Sequence, residues 1–257
     1  MTSLLAVDVG NSATKIGRFE GKALRFREII PTAESNDRKA RGALERALRG
    51  IGRSGRERVE IALCSVVPAA TAIWRRTTQE AKARLLVMRG DMSSPLANRY
   101  RNPAELGPDR LAAAVAAAAL HRPVIVVSLG TATTIDAVSA AGEFLGGAIC
   151  PGLGVGLDAL TEATALLPRL APRKTAAPIG RDTRECLLVG GYLGTIGQVN
   201  EIVRRQREVL GPAPVVATGG YAGLVADSIE GGARVRPHLT LEGIRLIWLH
   251  NRQGGRA

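Results

Sequence analysis

The chain has 257 residues, 46% of them hydrophobic, so it can bury a large core and fits a compact protein of two lobes. A net charge of +12 suits an anionic partner, but an aromatic content of 3% leaves little material for the base-stacking surfaces of single-strand nucleic-acid binders. Three cysteines without CxxC spacing argue against a disulfide framework or a zinc site, and they fit a reducing cytoplasm.

The first half of the chain predicts a three-stranded meander followed by alternating helices and strands. Strand-like apolar runs lie at residues 4–9, 14–20, 23–30, 59–66 and 84–88. Apolar residues recur at helical spacing over 38–51 and 69–84. Because Asp8 interrupts the first apolar run, no secretory signal peptide is predicted.

The second half repeats this order after a polar loop at residues 91–108. Its predicted strands lie at residues 124–129, 134–138, 143–149, 215–218 and 234–236. Its predicted helices lie at 108–120, 153–167 and 182–210, with two more that flank the last strand. The helix that includes 112–120 is too short to span a membrane. We therefore predict a duplicated α/β fold, with domains at 1–106 and 107–257.

The repeat extends to the residues themselves. The segment "LLAVDVGNSATKI" (4–16) aligns with "VIVVSLGTATTID" (124–136), which matches Gly10 to Gly130 and Thr14 to Thr134. A glycine at a strand end allows a tight turn with open N–H groups, and short Asn, Ser and Thr side chains add donors. Two such turns predict a polyphosphate site, and the carboxylate of Asp8 beside the first turn suits either magnesium or the attacking group.

Other nucleotide-binding signatures are missing from the sequence. No GxxxxGK[ST] motif occurs, which excludes a P-loop, and no GxGxxG follows a strand. Instead, "VVATGGYAGL" (215–224) puts two glycines between a strand and a helix start, where a nucleoside can approach the backbone closely. This arrangement is typical of actin-like and sugar-kinase-like ATPases.

A polar loop that runs into a helix is the candidate acceptor site. In "NRYRNPAELGPDRLAAAV" (98–115), Gly107 can cap the helix and Pro108 suits its first position. Asp109 then lies in the first turn, where acidic residues are also common for purely structural reasons. Next to Arg110 it forms a candidate pair of base and anion anchor.

Four ordered motifs resemble those of the type III pantothenate kinases, members of the superfamily of acetate and sugar kinases, heat-shock ATPases and actin. They are "DVGNS" (8–12), "NRYRNPAELGPDR" (98–110), "LGTATTID" (129–136) and "IGRDT" (179–183). The resemblance implies two actin-like (ribonuclease H-like) domains and phosphorylation of pantothenate by ATP with Mg²⁺. This reaction is the first step toward coenzyme A.

The resemblance also implies roles for individual residues. ATP would be lined by Asp8, Val9, Gly10, Asn11, Ser12, Ala13, Thr14, Lys15 and Thr131. Pantothenate would be bound by Tyr100, Gly107, Pro108, Asp109, Arg110 and Thr183. Asp109 would be the catalytic residue, acting as base or orienting group for the hydroxyl, and Asp8 would lie near the magnesium ion, with an indirect contact expected.

Two positions depart from the family pattern. Pro108 replaces a small residue, which the start of a helix tolerates. Ser128 stands where the family usually has an aspartate that binds an activating monovalent cation, K⁺ or NH₄⁺. A neutral hydroxyl is a much weaker cation ligand than a carboxylate. We therefore expect little activation by potassium.

The resemblance further implies a homodimer, with residues 182–210 as an interface candidate. The cysteine usage, the short apolar helix and the low aromatic content predict a cytoplasmic protein without a membrane or nucleic-acid partner. Two alternatives stay open at this point. One is a non-catalytic or regulatory relative that keeps the fold and uses its basic surface to bind an anionic partner. The other is a small-molecule kinase with a different acceptor.

Overall fold

The structure is a computed structural model that describes residues 3–34, 36–48 and 59–254. The elements of the first part of the chain are β1 (Ser3–Val9), β2 (Ala13–Glu20), β3 (Ala23–Pro31), α1 (Asp37–Leu48), β4 (Glu60–Ser65), α2 (Pro68–Glu80), β5 (Arg84–Val87), β6 (Ala97–Asn98) and α3 (Pro108–Ala118). The second part has β7 (Val124–Leu129), β8 (Ala132–Val138), β9 (Glu143–Pro151), α4 (Leu153–Ala163), α5 (Thr183–Leu210), β10 (Val215–Thr218), α6 (Ala222–Val225), β11 (Ala233–Val235) and α7 (Leu239–Gly254).

The chain forms two compact units. The first contains the described residues up to Ala116 and those from Leu239 onward, and the second runs from Ala117 to His238. This division differs from the predicted boundary after residue 106, because α7 packs on β1, β2 and β4 and so returns to the first unit. That the duplicated domains span residues 1–106 and 107–257 stays a prediction.

Both units have the same strand order. The first sheet runs β3-β2-β1-β4-β5, and in the second unit the strands lie in the order β11-β10-β7-β8-β9. In each unit a central strand pairs with an antiparallel meander on one side and with a parallel strand on the other. The predicted α/β fold, with a repeated three-stranded meander, is therefore confirmed.

The apolar patterning explains which strands are central. β1 is buried along its whole length and has an almost continuous apolar sequence, as expected for a strand covered on both faces. β3, at the sheet edge, alternates between exposed and half-buried residues. The core of the first unit lies between this sheet and the helices α1 and α2, and that of the second unit packs under α5 and α6.

Some predicted element ends were wrong. The helix α2 stops at Glu80 rather than residue 84, because Lys82 takes a positive φ of 52° and reverses the chain before β5. The helix α4 stops at Ala163 rather than residue 167, where Thr164 becomes extended. The helix predicted after residues 219–220 is the four-residue α6. The predicted end of α1 at residue 51 lies outside the described residues.

A buried polar contact holds α7 on the first sheet. The indole Nε1 of Trp248 donates a 2.8 Å hydrogen bond to the Glu60 carboxylate at the start of β4. Arg252 lies 3.5 Å from the same carboxylate and 4.9 Å from the centre of the Trp248 ring. Since Glu60 and Trp248 are both buried, the loss of this donor would leave an acceptor in the interior poorly satisfied.

We predict that Trp248→Phe lowers the free energy of unfolding by about 1–3 kcal/mol more than Trp74→Phe does. The two substitutions remove the same volume, but Trp74 Nε1 is buried without a hydrogen-bond partner among the described residues. The substitution of Trp74 therefore removes no hydrogen bond. Urea unfolding of the two variants measures the difference, and equal losses would contradict a stabilising role for the Trp248–Glu60 bond.

Candidate functional site

The turn between β1 and β2, residues 10–12, is the first hairpin turn. The N–H of Gly10 donates to the Ala13 carbonyl at 3.1 Å, which closes the turn and leaves Asn11 and Ser12 exposed. The hydroxyl of Thr32 donates to the Gly10 carbonyl at 2.7 Å and lies 3.1 Å from the hydroxyl of Thr14. A pair of threonines at the end of the meander therefore braces this turn.

Not every residue predicted to line ATP exposes its side chain there. Val9 and Thr14 are 1% and 0% exposed, so their side chains belong to the interior and to the threonine brace. Ala13 and Lys15 are half-buried at the start of β2. Backbone groups and the side chains of Asn11, Ser12 and Lys15 are therefore what this hairpin can offer to a ligand.

Asp8 is the main charged group at the end of β1. Because β1 is central, the register sets Asp8 between Lys15 on β2 and Cys64 on β4. The Lys15 ammonium Nζ lies 3.9 Å from Asp8 Oδ2. The pKa of Asp8 is raised to about 6, mainly by burial; Lys15 opposes the rise and the charge of Asp109 adds to it. The carboxylate is thus held in a poorly solvated place where a cation would stabilise its charge.

Cys64 is a neighbour of Asp8 that the sequence patterns missed. Its side chain is fully buried, and burial together with the charges of Asp8 and Asp109 raises the pKa of its thiol well above the ordinary value. The thiol is therefore neutral and contributes an apolar wall beside the carboxylate. Only the pairing of β1 with β4 reveals this contact.

The predicted acceptor residues come together at the start of α3. Gly107 precedes the helix, Pro108 occupies its first position, and Asp109 follows in the first turn, as predicted. A Cβ on Gly107 would lie only 2.6 Å from Asp109 Oδ1, so a side chain at residue 107 would displace this carboxylate. The influence of Asp109 on the pKa of Asp8 puts the two carboxylates in one electrostatic site.

Arg110 and Tyr100 form the second part of this cluster. Arg110 is 7% exposed, and its Nη1 donates a 2.9 Å hydrogen bond to the hydroxyl of Tyr100. The guanidinium carbon also lies 5.5 Å from the centre of the Tyr100 ring. The phenol therefore fixes the direction of a buried cation whose forked donors match a carboxylate.

The second hairpin turn, residues 130 and 131, lies between β7 and β8. Gly130 N–H donates to the Ala132 carbonyl at 3.0 Å, so this turn is one residue shorter than the first. The strand register pairs Leu129 with Thr133, whereas Val9 pairs with Thr14. The ungapped alignment of Thr14 with Thr134 was therefore wrong by one residue, because the two turns differ in length.

The corrected equivalence sets Ser128 between two other hydroxyls. Its register partners are Thr134 on β8 and Thr218 on β10, at the places that Lys15 and Cys64 occupy in the first unit. Thr134 donates a 3.3 Å hydrogen bond to the buried carboxylate of Asp136, which packs against Gly147. Neutral hydroxyls thus surround the position where the family resemblance expects a carboxylate.

Thr183 begins the long helix α5. Asp182 caps the helix by accepting a 2.8 Å hydrogen bond from the Glu185 N–H, and Glu185 accepts in return from the N–H of Arg181. The motif "IGRDT" therefore includes the N-cap of α5, and Thr183 is exposed. Thr131 and Thr183 belong to the second unit, whereas Asp109 and Arg110 belong to the first.

Two kinds of feature are absent from the described part of the chain. No cluster of three or more His, Cys, Asp or Glu side chains could hold a metal ion by itself. Among residues 3–34, 36–48 and 59–254 we find no helix with the length and hydropathy of a bilayer span.

Comparison with known proteins identifies the family. The family model described as type III pantothenate kinase matches residues 4–205. Proteins of that name from Moorella thermoacetica and from an Anaeromyxobacter species are 39% and 40% identical. The two alignments cover 96% and 97% of this chain and 99% and 100% of the relatives.

Solved structures share the fold at low sequence identity. A Baf family protein from Campylobacter jejuni has a TM-score of 0.61 at 19% identity, with 97% of this chain and 99% of that one covered. MreB 5 of Spiroplasma citri, bound to AMPPNP, has a TM-score of 0.56 at 10% identity, with 100% and 98% covered. The actin-like fold is therefore confirmed, and the matches in sequence show that the chain belongs to the type III pantothenate kinase family.

Proposed function

We propose that the protein transfers the γ-phosphoryl group of ATP to the primary hydroxyl of pantothenate, giving 4′-phosphopantothenate, the first step of coenzyme A synthesis. The observation that carries this proposal is the buried carboxylate of Asp8 beside a glycine turn, with Asp109 near enough to raise its pKa and the buried Arg110 next to Asp109 in the chain. Phosphoryl transfer depends mainly on positioning and on neutralising charge, and this cluster offers groups for both.

The first hairpin turn and Asp8 would bind the nucleotide with its magnesium ion. The residues fit Mg²⁺, which prefers oxygen ligands and is commonly held by one or two carboxylates together with substrate phosphates. The buried carboxylate of Asp8 is such a ligand, acting directly or through water. When bound, Mg²⁺ neutralises phosphate charge. Backbone and side-chain groups of residues 11 and 12 and the Lys15 ammonium would hold the phosphates, with Thr131 on the second hairpin turn.

Asp109 and Arg110 would handle the acceptor. Arg110, directed by Tyr100, would pair with the carboxylate of pantothenate, and Gly107, Pro108 and Thr183 would complete the binding site. Asp109 would orient the primary hydroxyl and take its proton as the new O–P bond forms. The bond between the γ-phosphorus and the β-phosphate oxygen breaks at the same time, and ADP leaves.

The residues at Ser128 do not fit a monovalent cation site of the family type. Its neighbours across the sheet are the hydroxyls of Thr134 and Thr218, and these are weaker cation ligands than a carboxylate. We therefore assign no role in the reaction to K⁺ or NH₄⁺.

We also propose a cytoplasmic homodimer, following the family resemblance and the free cysteines of the described chain. The first half of α5 supports an interface, because Leu193 is 39% exposed and Gly190, Gly194 and Gly197 have open space where a side chain would be. The regulatory alternative rests on net charge, and several exposed arginines already pair with acidic residues, among them Arg41 with Glu80 and Arg76 with Asp37.

The proposed reaction is tested by ADP release with and without pantothenate, together with phosphorus NMR of the product. We expect ADP release that requires pantothenate and a phosphomonoester on its primary hydroxyl. ATP hydrolysis that ignores pantothenate, or transfer only to another alcohol, would contradict the proposal. Absence of both activities together with salt-sensitive binding of DNA would support the regulatory alternative instead.

We predict that Asp109→Asn lowers kcat by roughly 10²- to 10⁴-fold while Mg–ATP still binds, because the variant loses the base and keeps the nucleotide site. Steady-state kinetics and nucleotide calorimetry measure the two effects. Glu105→Gln is the matched control, since Glu105 is an exposed acid of the same segment and bonds to Asn102. Near wild-type turnover of Asp109→Asn would remove Asp109 from the mechanism.

We predict that Asp8→Asn stabilises the ligand-free protein while abolishing Mg–ATP binding. Because the pKa of Asp8 is raised in the folded state, its protonated form stabilises the fold. This stability is fully present below pH 3.8 and is lost as the pH rises through about 6. At pH 8 the variant should gain about 1–3 kcal/mol in the free energy of unfolding, and the gain should shrink toward pH 5.

Urea unfolding at several pH values tests this second prediction. Asp91→Asn is the control, because Asp91 is an exposed acid that pairs with Arg89 on the surface. A gain in stability that does not depend on pH would show that the carboxylate charge is not its cause.

We predict that turnover changes less than about twofold when K⁺ is replaced by Na⁺, because neutral hydroxyls surround Ser128. Turnover of Ser128→Ala should be equally insensitive to the cation, whereas turnover of Ser128→Asp should depend on K⁺. Rates in KCl, NaCl and choline chloride, with thermal shifts in the same salts, measure both effects. A strong potassium requirement of the wild type would mean that other groups build a cation site.

A further inference from the structure

The second hairpin turn lacks the side-chain brace of the first. In the first unit the hydroxyls of Thr14 and Thr32 lie 3.1 Å apart, and Thr32 bonds to the turn. The corresponding residues in the second unit are Thr133 and Gly152, as the strand registers and the Gly152 N–H bond to the Thr131 carbonyl indicate. Within the described residues, the buried Thr133 hydroxyl has no hydrogen-bond partner.

A different element, the segment of residues 219–221 after β10, contacts the end of β7. The N–H of Tyr221 donates to the Leu129 carbonyl at 3.0 Å. Gly219 has a φ of +98°, and a Cβ there would lie 2.4 Å from the same carbonyl oxygen. Backbone therefore packs directly on backbone beside the second hairpin turn, and only glycine fits at residue 219.

The side chain of Tyr221 extends from this segment to the first turn of α4. A Cβ on Gly154 would lie 2.6 Å from the Tyr221 hydroxyl oxygen and 3.4 Å from Cζ of its ring. The phenol thus fills the space that a side chain at residue 154 would need. Its ring also packs at the margin of the core of the second unit.

The start of α4 is in turn fixed to the hairpin. Gly152 caps this helix, its N–H donates to the Thr131 carbonyl at 3.1 Å, and a Cβ on it would lie 2.3 Å from the Gly130 carbonyl oxygen. Residues 130 and 131 are therefore held through Leu129 on one side and through Gly152 on the other. Tyr221 bonds to the first support by its backbone, and its side chain contacts Gly154, two residues beyond the second support.

We propose that Tyr221 is a positioning residue for nucleotide binding, which holds the second hairpin turn in register by joining the end of β7 to the first turn of α4. The proposal rests on the proposed function in one respect, that the second hairpin turn contacts ATP phosphates. Tyr221 acts through the backbone of that turn, so its loss should weaken Mg–ATP binding and spare the pantothenate site at Asp109 and Arg110.

The test compares Tyr221→Leu and Tyr221→Phe with the wild type. Calorimetry with Mg–AMPPNP should show binding about tenfold weaker for Tyr221→Leu, since small displacements of positioned groups are costly, and the KM for ATP should rise in parallel. The KM for pantothenate should stay unchanged. Tyr221→Phe keeps the ring and should stay within about twofold of the wild type.

A double-mutant cycle isolates the contact with α4. Gly154→Ala should weaken nucleotide binding in the wild type, because its methyl group meets the Tyr221 hydroxyl. It should weaken binding less in the Tyr221→Phe background, where that oxygen is absent. Tyr192→Leu is the control for general destabilisation, because Tyr192 is buried in the same unit and bonds to Ser228, away from the hairpin turn.

Different results would overturn the positioning role of Tyr221 and the proposed function. Wild-type nucleotide affinity in Tyr221→Leu, equal rises in both KM values, or an equal effect of Tyr192→Leu would each overturn the positioning role. A wild-type protein that binds no Mg–AMPPNP, or that phosphorylates no pantothenate, would instead overturn the proposed function.

Discussion

The candidate site depends on a carboxylate held where water cannot solvate it well. Asp8 lies at the end of the central strand β1, so neighbouring strands flank it on both sides, and Lys15 at 3.9 Å offsets only part of the cost of its burial. The resulting pKa of about 6 indicates that the ligand-free fold is strained electrostatically at this point. A bound cation would relieve that strain, which gives the site a physical reason to take up magnesium with its nucleotide.

The two duplicated sheets carry chemically different residues at the ends of their central strands. The strand order and the hairpin recur, but the positions of Asp8, Lys15 and Cys64 are taken by Ser128, Thr134 and Thr218 in the second unit. At these three positions, only the first copy therefore carries charged side chains. The supports of the turns differ as well, since hydroxyls brace the first, whereas glycine contacts and Tyr221 brace the second.

Much of the architecture is predictable from sequence because it follows from apolar periodicity and from turn residues. The meanders, the long helix α5 and the helix start at Pro108 are of this kind. The failures have physical causes: Lys82 reverses the chain through a positive φ, and the hairpin turns differ in length by one residue. The return of α7 to the first sheet depends on contacts such as Trp248 with Glu60, which are remote in sequence.

The candidate site was predictable in part for the same reason. Local motifs predicted Asp8, Asp109 and Arg110 as site residues, because their charges and the helix start at Pro108 indicate a phosphate and acceptor site. Cys64 and Gly152 were not predicted, because neither belongs to a motif. Cys64 lies beside Asp8 through strand pairing, and Gly152 is required by the close approach of the backbone of residues 130 and 131.

A crystal structure of the protein with Mg–AMPPNP would test the central claim most directly. We expect the triphosphate against the first hairpin turn and against residues 130 and 131, with the magnesium ion contacting Asp8 directly or through a water molecule. A nucleotide bound without contact to either hairpin turn, or a magnesium ion remote from Asp8, would contradict the account.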